Sequence, residues 1–469
     1  MKKLIILSLC LLFTISLPIK GQIRLASIFK DHMVLQQNSK VNVWGWGAPG
    51  SKFKMVGEWN LKDTIVVPVD NWGRWKTQIQ TNQAGGPYEI RILDSGSSTV
   101  ILKDVMLGEV WLCSGQSNME WTYNHKLGNP EKEIPAANYP NIRIFTVDKA
   151  ASANQQDLCE GRWEACTPDV MKRSSAVAYF YARQLHKQLN VPIGVIVSCW
   201  GGTNAETWLE DSIVKTDPEL KKASSLHIPY AWWPYEPGVC YNAMIHPLVP
   251  YTLAGFIWYQ GEANVGKGIF PVYDKLMRKL ISSWRNDFGK DLPFYFVQIA
   301  PFNYNKDSYA NYLREQQAQT ALYPNTKMIV ISDLLDGNVN NIHPLNKWDV
   351  GDRLANLALT YTYGIKGRPH LYPRFEKMEI KGRKAYLSFK DSPGIEIRGK
   401  KIRDLQVAGS DSVFVDAEAK IVDGKLVVWS RNVKDIKAVR YAFTNTAIGN
   451  LFSTEGLPAI PFRTDSFNL

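Results

Sequence analysis

"DVMLGEVWLCSGQSNMEW", residues 104–121, changes character in its middle. Apart from Asp104 and Glu109 its first ten residues are apolar, which predicts a strand buried on both faces, as inside a parallel sheet. Gly, Gln, Ser and Asn then break the run before any helical spacing resumes, so Ser117 stands just past the carboxyl end of that strand. Ligands of open α/β sheets sit beyond the carboxyl ends of the strands, which makes this turn the first place to look for chemistry. One serine in one polar turn means little by itself.

Upstream the pattern is different. Residues 23–103 hold short segments of alternating polarity ("KVNVWGWG", "KFKMVGEW", "RWKTQIQT", "YEIRILD") separated by Gly, Pro, Asn and Asp turns, which predict a small β-sandwich-like N-terminal β domain. Downstream, buried-strand runs at 193–198, 253–259, 294–300 and 327–332 alternate with helical spacing in "SSAVAYFYARQLHKQL" and at about 271–286, 309–322 and 346–362. Ser174 is the candidate N-cap of the first of these helices and Asn190 marks its end. Strands alternating with helices predict a parallel sheet with helices on both faces over residues 104–368. Residues 369–469 return to short alternating segments, a C-terminal β domain that could pack with the first, and "NLFSTEGLPAIPFRTD" reads as an extended closing segment on the surface.

Composition excludes more than it selects. Residues 1–22 join two lysines to a short apolar stretch, too short for a comfortable membrane span, and read as a cleaved signal peptide. The mature chain is then exported, periplasmic or extracellular. Cys10 has no lipobox around it. Losing Lys2, Lys3 and Lys20 takes the net charge from +11 to +8, and the remaining cations are scattered, so no nucleic-acid partner is expected. No later segment reads as a membrane span. Five cysteines remain, too few for a disulfide scaffold, although Cys159 and Cys166 bracket "EGRWEA" as a loop an oxidising compartment could close. No metal-ligand spacing is present, and no metal or cofactor is expected.

The loops after the core strands carry the decisive pattern: "SGQSN", "CWGGTNAETW", "QGEAN" and "DLLDGNVNNIHPLNK". Acyl transfer needs these residue types. Ser117 requires a base, and His343 is the best one on offer. Backbone N–H groups of the Gly201–Gly202 pair and the side chain of Asn264 suit an oxyanion hole, where each donor is worth about 100- to 1000-fold in rate. His32, His125, His186, His227 and His370 have no comparable setting and read as structural. Four such loops, each after a strand of the predicted parallel sheet, favour an enzyme.

The order and wording of these blocks resemble the SGNH hydrolase superfamily, and closely its sialate O-acetylesterase family. The shared blocks are "GQSNM" at 115–119, "WGGTNAETW" at 200–208, "WYQGEAN" at 258–264 and "IHPLNK" at 342–347, flanked by "DHMVLQ" at 31–36, "YNAMIHPL" at 241–248 and "GLPAIPFRTD" at 456–465. The resemblance implies a flavodoxin-like three-layer α/β/α core, with Ser117 as nucleophile and His343 as general base. The oxyanion hole would be the N–H of Ser117, a glycine of the 201–202 pair and the Asn264 amide. Gln116 replaces the acid of the superfamily's GDS block and would position Ser117, donate to substrate or only cap the turn. Glu262 reads as a hydrogen-bonded support for the site.

The departure is the triad acid. Asn340 and Asn341 stand where many relatives carry Asp before the histidine, and an Asn does not stabilise an imidazolium as a carboxylate does. Asp336 or Asp333 from the same loop, Glu262, or a Ser–His dyad oriented by a backbone carbonyl are the open choices, with Asp336 or the dyad preferred. The family implies an acetylated sugar as substrate, foremost 9-O-acetyl sialic acid on a glycan, alternatively an acetylated plant polysaccharide such as xylan. Trp121, Tyr123, Trp200, Trp208, Trp232, Trp233 and Tyr241 lie near the blocks, about half of them as sugar-facing aromatics and half as core. A glycan-binding protein with a degenerate core is the non-enzyme alternative.

Overall fold

The computed structural model describes residues 22–94 and 99–467, so the signal-peptide reading of residues 1–21 lies outside the described residues. Strand β1 (Thr99–Gly115) organises the fold. Its first six residues vary in exposure, whereas Val105 to Gly115 are buried without interruption. The switch tracks the sequence, alternating through "TVILKD" and then continuously apolar. The early half pairs antiparallel with the strand Gly85–Asp94 of the N-terminal region. The later half is the centre of an α/β sheet. The N-terminal strands and this sheet share one continuous hydrophobic core.

The remaining core strands are β2 (Tyr139–Val147), β3 (Gly161–Cys166), β4 (Ile193–Cys199), β5 (Gly255–Tyr259), β6 (Phe294–Val297) and β7 (Thr326–Ile329). Their order is β3-β2-β4-β1-β5-β6-β7. All neighbours run parallel except β3, which lies antiparallel on β2 at the edge. The sheet is therefore mixed rather than purely parallel. Helices α1 (Ser117–Glu120), α2 (Ala176–Leu189), α3 (Tyr273–Asp287), α4 (Ala310–Thr320) and α5 (Trp348–Tyr361) fill the connections. Helices α2 and α5 meet closely at Gly351, where an added Cβ would lie 2.5 Å from that of Phe180.

Four expectations need correction. The N-cap of α2 is Ser175, whose Oγ accepts from Ala178 N–H, while Ser174 Oγ donates to the Val170 carbonyl and ends the preceding turn. "EGRWEA" is the body of β3 and not a loop: a six-residue strand holds its ends roughly 20 Å apart, and Cys159 and Cys166 are free and buried. The C-terminal sheets form their own core and dock on α4, with Arg463 bridging to Glu315 and Arg314 donating to the Thr444 carbonyl. Among the described residues no hydrogen bond joins them to residues 22–94. The closing segment is woven into those sheets: Leu451–Ser453 pairs with Ile395–Ile397, Phe462–Arg463 pairs with Ala438–Tyr441, and Leu457, Ala459 and Phe462 are buried.

Candidate active site

The carboxyl ends of β1, β4 and β5 and the loop after β7 meet at one cavity of about 860 Å³. Gly115 makes the first turn possible. It sits at φ +137°, and a Cβ there would lie 2.1 Å from the Tyr259 carbonyl oxygen, so only glycine lets β1 leave the sheet this close to β5. Ser117 comes next but one, as the first residue of α1, a position whose N–H has no intrahelical acceptor. Its Oγ lies 2.9 Å from His343 Nε2.

Side chains of the four blocks tie the loops together. Asn118 is fully buried; its Nδ2 donates to Glu262 Oε1 at 2.5 Å and to the Ile342 carbonyl at 3.0 Å, and its Oδ1 accepts from Lys347 Nζ at 2.5 Å. One residue beside Ser117 thus anchors the residue before His343. Gln116 Oε1 accepts from Gly261 and Ala263 N–H, which makes it a cap for the β5 turn, and no hydrogen bond among the described residues engages its Nε2 at the cavity. Glu120 Oε2 accepts from Gly201 N–H while its Oε1 pairs with Lys149. Buried Glu206 accepts from Asn264 Nδ2 at 2.9 Å and lies 3.2 Å from His227 Nε2, and Asn264 Oδ1 accepts from Ala205 N–H and Gln260 Nε2. Burial would raise the Glu206 carboxyl, but His227 and Asn264 hold it below the usual range.

His343 has an unusual setting for a base. Its ring stacks on Trp121 at 4.0 Å between centroids, and His125 stacks on Trp121 at 5.0 Å. Burial, with Lys347 and His125 as cationic neighbours, pushes its pKa down to about 4. Among the described residues no carboxylate hydrogen-bonds to it. Asp336, the preferred third member, is exposed at φ +49° and makes no bond to His343. Asp333 is held by Arg353 through contacts of 2.7 and 2.6 Å. Glu262 reaches Asn118 instead; its Oε2 is buried without a partner, and burial raises its carboxyl. Lys347, completely buried, is pushed down to about 7 by desolvation.

Of the proposed oxyanion donors, the N–H of Gly201 is engaged by Glu120, whereas that of Gly202 meets no acceptor among the described residues. Gly202 sits at φ +79° beneath the Trp233 ring, which an added Cβ would meet at 2.3 Å. Asn264 keeps one Nδ2 hydrogen beyond its bond to Glu206. The aromatics divide: Trp121 and Trp233 line the cavity, Trp232 is exposed, and Tyr123, Trp208 and Tyr241 are core. Trp200 lies outside the lining, under Lys149, and its N–H ties the turn to the Gly115 carbonyl. Sequence reasoning passed over Asn118, Glu120, Glu206 and Lys347, although all four lie in or beside the strand-end blocks. It also set aside His125 and His227, whose roles depend on ring contacts that spacing does not show. Among the described residues no group of three or more His, Cys, Asp or Glu side chains converges as a metal site.

The family model for carbohydrate esterases of the sialic acid-specific acetylesterase type matches residues 107–360, which contain all four loops. Human sialate O-acetylesterase is 31% identical over 421 residues, covering 82% of this chain and 80% of the relative. The mouse enzyme is 28% identical over 485 residues, covering 90% and 89%. The crystal structure of a carbohydrate acetylesterase from Xanthomonas citri has a TM-score of 0.86 and 34% identity, covering 95% of this chain and all of that one. Because the likeness runs through the strand-end loops and most of the remaining chain, this protein belongs to the sialic acid-specific acetylesterase family of carbohydrate esterases and is a carboxylic ester hydrolase.

Proposed function

We propose that the enzyme removes O-acetyl groups from sugars, foremost the 9-O-acetyl group of sialic acids, through an acetyl-enzyme on Ser117. The observation that carries this reading is the 2.9 Å contact between Ser117 Oγ and His343 Nε2 at the cavity. In this mechanism neutral His343 takes the Ser117 proton as Oγ bonds to the acetyl carbonyl carbon. The N–H groups of Ser117 and Gly202 and the spare Nδ2 hydrogen of Asn264 receive the oxyanion. The tetrahedral intermediate then expels the sugar alkoxide, which leaves with the proton from His343. Water, deprotonated by the same ring, attacks the acetyl-enzyme, and acetate and free Ser117 are restored.

The His343 imidazolium in this reading meets the face of Trp121 rather than a carboxylate, so the pair works as a dyad. Lys267 at the cavity wall carries no side-chain partner among the described residues, and it is the proposed contact for a sialic acid carboxylate. The apolar, Lys-flanked leader at residues 1–22 supports export of the mature chain. A neutral acetylated polysaccharide such as xylan is the second reading, with which the likeness to the Xanthomonas citri carbohydrate acetylesterase is equally compatible.

Acetate release from O-acetylated sialic acid, acetylated xylan and 4-nitrophenyl acetate tests both readings. Ser117→Ala should lose at least about 1000-fold on every substrate. Retained hydrolysis in that variant would remove Ser117 as nucleophile, and cleavage of xylan alone would replace sialic acid as the substrate.

A further inference from the structure

Residues 226–235 form a strap along the cavity wall, and its surface is anomalous. Leu226, Ile228, Tyr230, Trp232 and Trp233 are 45%, 70%, 52%, 67% and 37% exposed, five large apolar side chains within eight residues. Isolated exposed apolar residues are normal, but a contiguous cluster marks a binding surface. The strap is also well anchored. Asn204 Nδ2 donates to the Tyr235 carbonyl at 2.9 Å, Tyr230 and Trp233 form a backbone bridge, and the Trp233 ring covers Gly202. His227, on the same strap, meets buried Glu206. Exposure here therefore reflects a held conformation, with its apolar faces left to solvent.

The position of the strap says what covers it. Leu226, Ile228, Tyr230 and Trp233 line the same cavity as Ser117, together with Lys267 and Asp307, whose charged ends carry no side-chain partner among the described residues. Aromatic faces beside open charged hydrogen-bonding groups are the chemistry that receives a pyranose, its C–H face on the ring and its hydroxyls on the polar side. An acetyl group and one sugar need only the zone around Ser117. We infer that the strap is an outer subsite for the sugar residues that carry the acetylated one, so that the preferred substrate is an acetylated oligosaccharide rather than a free acetylated monosaccharide.

The inference rests on the sugar esterase reading but fails separately from it. The measurement is kcat/KM of the full enzyme on 4-nitrophenyl acetate, on an acetylated monosaccharide, and on an oligosaccharide of three or more units ending in that monosaccharide. The wild type should favour the oligosaccharide by about tenfold, expressed mainly in KM. In Tyr230→Ala and Ile228→Ala the ratio of oligosaccharide to monosaccharide kcat/KM should fall towards one, and Tyr230→Phe should restore it. Equal kcat/KM for the two sugars in the wild type overturns the subsite. So does a proportional loss on all three substrates in the alanine variants, which would mark the strap as structural. Absence of hydrolysis of either sugar, with 4-nitrophenyl acetate still cleaved, would count instead against the sugar esterase reading.

Discussion

As a Ser117–His343 dyad without a carboxylate, the proposed mechanism requires an acid limb far below the usual one. His343 is held down to about 4 by burial, with Lys347 and His125 adding like charge, from an ordinary value of 6.5. In the proposed mechanism the ring must be neutral to accept the Ser117 proton. At pH 5 a base with pKa about 4 is about 90% neutral, whereas one at 6.5 is about 3% neutral, a difference of about thirtyfold in competent enzyme. An aspartate on the far nitrogen would move the limb the other way, to 6.5 or above. The assay is kcat/KM for 4-nitrophenyl acetate from pH 3.5 to 8 at constant ionic strength, which reports the free enzyme's base. The expected profile stays nearly flat down to about pH 5 and falls below it. Removing the nearby cation in Lys347→Met should move the limb upward. A wild-type limb at or above 6.5 would refute the reasoning, because it requires a charged partner that the structure does not place at His343. The same shift affects stability. The unfolded chain binds the His343 proton more tightly than the folded one, so the contribution is fully present above 6.5 and is lost as pH falls through about 4.

Asp336→Asn should change kcat/KM by less than about twofold, since the exposed residue makes no contact with the ring; a loss of about 100-fold or more would restore it as the triad acid. Trp121→Ala removes the face on which His343 rests and should lower kcat by about 10- to 100-fold, with Trp121→Phe recovering most of it, as measured by steady-state kinetics. Gly202→Ala puts a methyl group 2.3 Å from the Trp233 ring at a left-handed φ, and a loss of about 100-fold in kcat should accompany displacement of the N–H it presents. Adding dithiothreitol should leave Tm unchanged, because the five cysteines of the described chain are free; a fall of several degrees would reveal a bridge.

The core was legible because burial writes itself into consecutive residues. "VMLGEVWLCSG" has no polar face to offer solvent, and the structure buries every residue of it, the first few against the N-terminal strands and the rest at the centre of the α/β sheet. The four long helices were read to within about two residues from their spacing, and Asn190 ends α2 in the left-handed conformation that Asn tolerates. The short helices Ser117–Glu120, Pro168–Arg173, Asp211–Thr216 and Pro218–Ser224 span too few turns to show a period and were not read. The edges were less legible. Nothing local in "GRWEAC" records that β3 runs antiparallel to β2, because strand direction is set by how the chain returns and not by side-chain period. The docking of the C-terminal sheets on α4 depends on long-range pairs such as Arg463 with Glu315, separated by 148 residues, which no short window contains.

At the site, sequence order revealed which loops meet but not how their side chains divide the work. Asn264 and the 201–202 glycines were read as free donors. Glu206 takes one hydrogen of Asn264 and Glu120 takes the Gly201 N–H, so both acids of neighbouring blocks hold the loops in place. The missing aspartate drew attention to the residues before His343. Its support comes from two other directions, from Trp121 through ring stacking and from Asn118 through the Ile342 carbonyl. Both lie in the same "SGQSNMEW" turn as Ser117. A buried Asn between Lys347 and Glu262 gives each of them a partner, Lys347 Nζ on its Oδ1 and Glu262 Oε1 on its Nδ2, and so joins two buried ionisable groups beneath His343. In the proposed mechanism the serine's own turn therefore does two jobs, carrying the reacting oxygen and, through Trp121 and Asn118, holding the ring that would take its proton, so the dyad reading asks for no acid in the loop around His343.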